Sequence, residues 1–136
     1  MNTEFMKYFT LNELCKSSTA DRLGIDNSPN FEVSTNLMQL VYYILDPLCE
    51  KYGKPIIVNG AYRCPELNKA VGGSKTSQHM KGLAADITVG SSTQNKKLFQ
   101  LIIDMDLPYD QLIDEKNFRW IHVSYTKNPR KQILHL

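Results

Sequence analysis

Apolar residues recur at helical spacing between positions 37 and 48. Leu37, Leu40, Val41, Ile44, Leu45 and Leu48 form one stripe. Ser34 or Thr35 can cap this helix, which is expected to run to about Tyr52. Pro47 falls inside the run and should kink it, and Gly53 is placed to end it. Upstream, Thr10-Leu11-Asn12-Glu13 is a capping-box pattern and predicts a short helix after Thr10. Residues 27–33 are polar and turn-rich and read as a loop. Pro65 to Val71 reads as a short helix with proline near its first position. A second long helix is expected from Ser92 to Met105, with Leu98, Leu101 and Ile102 facing inward.

The period then switches to two. Pro55 to Asn59, Leu83 to Val89, Gln111 to Ile113, Trp120 to Tyr125 and Gln132 to Leu136 read as strands. Residues 72–76, Gly-Gly-Ser-Lys-Thr, form a loop, and Gly82 suits a turn between two extended pieces. The order is helices first, then strands with a helix inserted. It predicts one α+β domain over residues 1–136, with helices packed on a small, mostly antiparallel sheet.

Candidate chemistry sits on these strands. Asp86 stands among Ala84, Ala85, Ile87 and Val89, and an unpaired carboxylate there is costly, so it needs a partner such as a cation. His79 precedes it by seven positions, and His122 lies in Trp120-Ile121-His122-Val123-Ser124. Alternation puts Trp120, His122 and Ser124 on one face. If the two strands are neighbours, Asp86 and His122 come within roughly 5 Å at Cβ. His, Asp and His are the ligand types of a zinc site that keeps one position open for water. Without a metal, the three could instead satisfy one another as a structural hydrogen-bond cluster.

Ser77-x-His79-x-x-Gly82-x-Ala84-x-Asp86, followed by Trp120-Ile121-His122, closely resembles the zinc D-alanyl-D-alanine carboxypeptidase and L-alanyl-D-glutamate endopeptidase family. The metal cradle of the hedgehog amino-terminal domain is similar. The resemblance takes in residues 58–63, 67–74 and 110–113 and spans roughly residues 8–126. It is most like the short members found in phages and prophages. It implies one Zn²⁺ held by His79, Asp86 and His122. It also implies a peptidase acting on peptidoglycan stem peptides, of D,D-carboxypeptidase or L,D-endopeptidase type, as in a phage lysin.

A zinc peptidase also needs a general base. The endopeptidases it resembles often carry an acidic residue three positions before the last histidine, but here that position is Arg119. The hedgehog-like alignment points instead to Glu115. Parity in residues 110–115 puts Glu115 with Gln111 and Ile113, and Asp114 on the other side. The turn Lys116-Asn117-Phe118 can return the chain antiparallel into His122. Arg63, in the segment resembling the family's Tyr-Arg motif, has the donor fork for a peptide carboxylate or an oxyanion; its alternative is a surface ion pair. Ser77 and Gln78 flank the first ligand and can hold substrate or orient the site. Trp120 either lines the cleft or packs in the core. Arg119 keeps a second class open, a non-catalytic wall- or peptide-binding module that retains the metal.

Charge and cysteines add little. A formal charge of +2 on 136 residues gives no reason to expect nucleic acid. No apolar run is long enough to span a membrane, and a monomer is expected. Residues 1–7 lack the charged-then-apolar signal pattern, so the expectation is synthesis in the cytoplasm and action on the wall after release. Cys15 and Cys49 read as core residues. Cys64 follows Arg63 but lacks a free base, and His135 has no partner visible in the terminal strand.

Overall fold

The structure, a computed structural model, describes residues 6–136; Met1–Phe5, part of the segment read for a signal pattern, lies outside the described residues. Helices α1 (Leu11–Cys15), α2 (Ser18–Leu23), α3 (Phe31–Leu40), α4 (Asp46–Tyr52), α5 (Pro65–Ala70) and α6 (Ser92–Asp104) pack with a sheet of β1 (Ile57–Gly60), β2 (Ala84–Thr88), β3 (Gln111–Glu115), β4 (Trp120–Ser124) and β5 (Gln132–His135). Strand order is β1-β2-β4-β3-β5, antiparallel except for the β3–β5 pair. This is the α+β architecture that the element order implies. No helix among the described residues is long and apolar enough to cross a membrane.

Local chemistry explains most boundaries. The Thr10 hydroxyl accepts from the Glu13 amide while the Glu13 carboxylate takes the Thr10 amide, completing the capping box of α1. The long helix starts earlier than Ser34: Asn30 Oδ1 accepts from the Val33 amide at 2.8 Å, so α3 begins at Phe31 and Ser34 is buried in its first turn. The asparagine cap at the end of the polar segment decides this, and residues 31–33 are helix, not loop. Helix α2 went unassigned in the sequence, although Ser17 caps it and Gly24, at φ 68°, closes it.

Pro47 acts through the turn before it. Proline offers no amide to the carbonyl four residues back and crowds it. The chain answers with a π turn over Val41–Leu45, in which the Asp46 amide reaches back to the Val41 carbonyl. The apolar stripe survives: Leu37, Leu40, Val41, Ile44, Leu45 and Leu48 are all fully buried. On α6, Leu98 and Ile102 face inward and Leu101 only partly.

The sheet has two unlike faces. Ala85 and Ile87 of β2, Ile121 and Val123 of β4 and Leu112 of β3 are buried in the core. Alternation sends Asp86, His122, Ile113, Glu115 and Trp120 to the other face. Gly82 corrects the expected pair of extended pieces. The piece before it, Gln78–Lys81, is a 3₁₀ turn, and Gly82 ends that turn at φ 74°. A Cβ at Gly82 would lie 2.8 Å from the Val33 carbonyl, so α3 packs directly on this turn.

Candidate metal centre

Register brings the candidate ligands together. Asp86 of β2 pairs directly with His122 of β4, and His122 Nδ1 lies 3.1 Å from Asp86 Oδ1. His79 reaches the same oxygen from the 3₁₀ turn, with Nε2 at 3.3 Å. The other nitrogen of His79, Nδ1, donates to the Ala61 carbonyl at 2.6 Å. That bond fixes the tautomer and leaves the Nε2 lone pair facing Asp86. The two rings meet edge to face at a centroid distance of 5.1 Å. One donor atom from each residue falls within 4.8 Å of the other two.

Burial alone would raise the pKa of Asp86. The neighbouring imidazoles, His122 foremost, outweigh it and hold the carboxyl well below the usual range. Two imidazole nitrogens and an ionised carboxylate oxygen therefore converge on one point. This donor set suits a divalent, borderline-soft cation and leaves a coordination position open, so the residues present fit zinc.

Arg63 stands beside this cluster. Its amide bonds to the His79 carbonyl at 3.1 Å, which ties the segment after β1 to the metal turn. Its guanidinium reaches Asn68 Oδ1 through Nε at 3.1 Å and Ser77 Oγ through Nη2 at 3.3 Å. Burial pulls its basicity down, and the charge of Asp86 pulls it back up. Its partners are neutral, so it is not an incidental surface ion pair. Ser77 also accepts the His79 amide at 3.2 Å, so its hydroxyl is already engaged in shaping the turn. Gln78 Nε2 donates to Asp110 Oδ2 at 2.9 Å, and its buried Oε1 has no partner among the described residues.

The carboxylates of β3 separate by parity. Glu115 pairs with Trp120 across the hairpin, one pair beyond Ile113 and His122 on the ligand face. Both Glu115 and Trp120 are half-exposed, so Trp120 flanks the site and is not core. Asp114 points the other way, is buried, and pairs with His135 of β5. His135 therefore has a partner that its terminal position concealed. Cys64 Sγ accepts from the Leu67 amide and caps α5. Burial pushes the Cys15 thiol up to about 11, leaving it inert at neutral pH.

Three asparagines that the sequence reading passed over hold the site in place. Asn27 bonds the Cys15 and Tyr62 carbonyls and the Cys64 amide, which fixes the backbone on both sides of Arg63. Asn68 holds Arg63, and Asn95 holds the β3–β4 turn. Most of these partners lie beyond the asparagine's own helix or loop, so its neighbours in sequence do not name them.

Two strand residues, with a third from a glycine-ended turn, thus form a group that could hold a single metal ion. Residues 7–124 match the family model for peptidase M15, and the chain belongs to that family. Over 38 residues it is 53% identical to the zinc D-Ala-D-Ala carboxypeptidase of Streptomyces albus G, a match covering 28% of this chain and 15% of that protein.

Proposed function

We propose that this chain is a zinc-dependent peptidase that hydrolyses the stem peptides of peptidoglycan, with His79, Asp86 and His122 as the zinc ligands. The observation that carries the reading is the convergence of His79 Nε2, Asp86 Oδ1 and His122 Nδ1 beside a half-buried arginine. Membership of the peptidase M15 family and the short stretch shared with a zinc D-Ala-D-Ala carboxypeptidase support it. A bound zinc ion supplies Lewis acidity, which polarises a carbonyl and makes water a better acid.

The protein's own groups do the rest. The Ala61 carbonyl keeps the proton of His79 on Nδ1, so Nε2 stays a ligand. Glu115, on the ligand face, takes a proton from the attacking water onto a carboxylate oxygen and returns it to the leaving amine. Arg63 presents N–H donors to a peptide carboxylate or to the oxygen that gains charge during attack. Trp120 flanks the candidate site beside Glu115.

The test is incubation of zinc-loaded protein with purified peptidoglycan, followed by mass analysis of the products. Release of terminal D-alanine identifies a D,D-carboxypeptidase, and cleavage between L-alanine and D-glutamate an L,D-endopeptidase. His79→Ala and His122→Ala should each lose bound zinc by elemental analysis; full occupancy in both would remove the proposed ligand set. Arg119, three positions before His122, favours one rival, a wall-binding module that keeps the metal. Wall binding without product from zinc-loaded protein would establish it.

A further inference from the structure

We propose that Asn68 is a positioning residue of this reaction, setting the guanidinium of Arg63, and that position 73 is glycine so that Asn68 can do so. The inference rests on the reading of Arg63 as a substrate ligand. A free arginine side chain gives up rotamer entropy when it is fixed, so a guanidinium that must meet an anion in one geometry needs holding.

Asn68 is 3% exposed and lies on α5, five positions after Arg63. Its Nδ2 donates to the Ser74 carbonyl at 2.9 Å, and a carbonyl can only accept. That bond turns Oδ1 toward Arg63, where it accepts Nε at 3.1 Å. With Ser77 on Nη2, Nε and one Nη2 hydrogen are engaged. Nη1 has no protein partner among the described residues, so the Nη1–Nη2 end of the guanidinium is the edge that can grip a carboxylate or an oxyanion.

Gly73 makes room for this arrangement. A Cβ there would stand 2.1 Å from Asn68 Oδ1 and 2.8 Å from Cγ. The φ of Gly73 is outside the left-handed region, unlike that of Gly72 at 74°, so position 73 requires space and not backbone freedom. The Gly73 amide also bonds the Asn68 carbonyl at 2.9 Å, which draws the loop onto this side chain. An alanine at 73 would push Asn68 off Arg63 without removing any hydrogen-bonding group.

A double-mutant cycle on kcat/KM with wall peptides tests this. Asn68→Ala and Gly73→Ala should each lower kcat/KM by about 10- to 100-fold in the parent protein, the scale of a misplaced binding group. In an Arg63→Lys background, which has no Nε, the same changes should cost less than about 3-fold. Zinc content should stay at the parent level throughout. The Nε–H resonance of Arg63, in ¹⁵N-edited spectra of the zinc-loaded protein, should be protected from exchange in the parent and lose that protection in Asn68→Ala and Gly73→Ala. Should Asn68→Ala not fold, Gly73→Ala carries both measurements. Equal losses in both backgrounds would overturn the proposal, because Asn68 would then be fastening the loop independently of Arg63. Unchanged Nε–H protection in the variants would overturn it as well. Parent activity in Arg63→Lys is a different failure: it removes the substrate role of Arg63 and this inference with it.

Discussion

Alternation along β3 places two adjacent carboxylates in opposite environments. Glu115 lies on the face of His122 and Asp86, half-exposed, where it can meet water and substrate. Asp114 is buried on the other face and already bonded to His135. A general base needs access to the proton it takes, and of the two only Glu115 has it on the site side. Glu115→Gln should therefore bind zinc at the parent level and cleave wall peptides about 10²- to 10⁴-fold more slowly, as expected for loss of a positioned base. Asp114→Asn should lower the unfolding midpoint while leaving kcat largely unchanged. Parent turnover in Glu115→Gln, with zinc content confirmed, would show that this carboxylate was wrongly chosen. The parity of Glu115 was readable from the sequence because strand alternation is local. The partner of Asp114 was not, because His135 reaches it across a parallel pair that only the folded sheet creates.

The β3–β4 hairpin is the element that presents Glu115 and Trp120, and its turn is strained. Lys116, Asn117 and Phe118 all have positive φ, at 51°, 58° and 63°, without a glycine among them. Such residues cost about 1–3 kcal/mol each and persist only where the surroundings over-determine them. Fully buried Asn95 on α6 provides much of that restraint. Its Nδ2 reaches the Phe118 and Arg119 carbonyls at 2.9 and 3.1 Å, and its Oδ1 accepts the Val89 amide at 2.8 Å. Phe118 also packs edge to face on Phe99 of α6, with centroids 5.4 Å apart. Asn95→Ala removes the partner of these part-buried backbone groups and should cost about 1–3 kcal/mol by denaturant unfolding. It should also speed amide exchange in the hairpin ahead of the rest of the sheet. A change within about 0.5 kcal/mol, the range of an ordinary surface substitution, would refute the latch.

Across the whole molecule, one buried carboxylate joins the carboxy-terminal strand to the metal turn. Asp110 accepts three bonds from Arg130, through the backbone amide, Nε and Nη2, and a fourth from Gln78 beside His79. Its amide bonds Ser124 of β4 and its carbonyl takes the Gln132 amide of β5. The Arg130 side-chain bonds are the main cause that holds the Asp110 carboxyl well below its ordinary value; burial opposes them, and the Arg130 amide and Gln78 add to them. A depressed folded-state value means that the ionised group stabilises the fold above the unfolded value of about 3.9. That contribution is lost as pH falls below it toward the folded value. Arg130→Met should thus lower stability at neutral pH by about 1–3 kcal/mol. The further decline as pH falls below about 4 should be shallower than in the parent. Parallel stability–pH curves for the two proteins would exclude the Asp110–Arg130 pair as the source of that acid sensitivity.

What the sequence determined by itself was whatever depends on neighbours along the chain. The apolar stripe from Leu37 to Leu48, the capping box at Thr10, the period-two strands and the face shared by Trp120 and His122 all follow from local spacing. The candidates His79, Asp86 and His122 were legible there too, from residue types that suit a metal and from the motif they share with a known family. The tertiary structure alone decided which strands are neighbours. Only with β4 between β2 and β3 does Asp86 face His122 and Glu115 share their side. It also decided where the long polar side chains turn. Gln78 goes to Asp110, 32 positions away, and Asn27 to the Cys64 amide, 37 positions away. A polar side chain has the same donors and acceptors wherever it lies, so its sequence context does not name its partner. Burial does, since each buried polar atom must be satisfied by whatever the fold brings within reach.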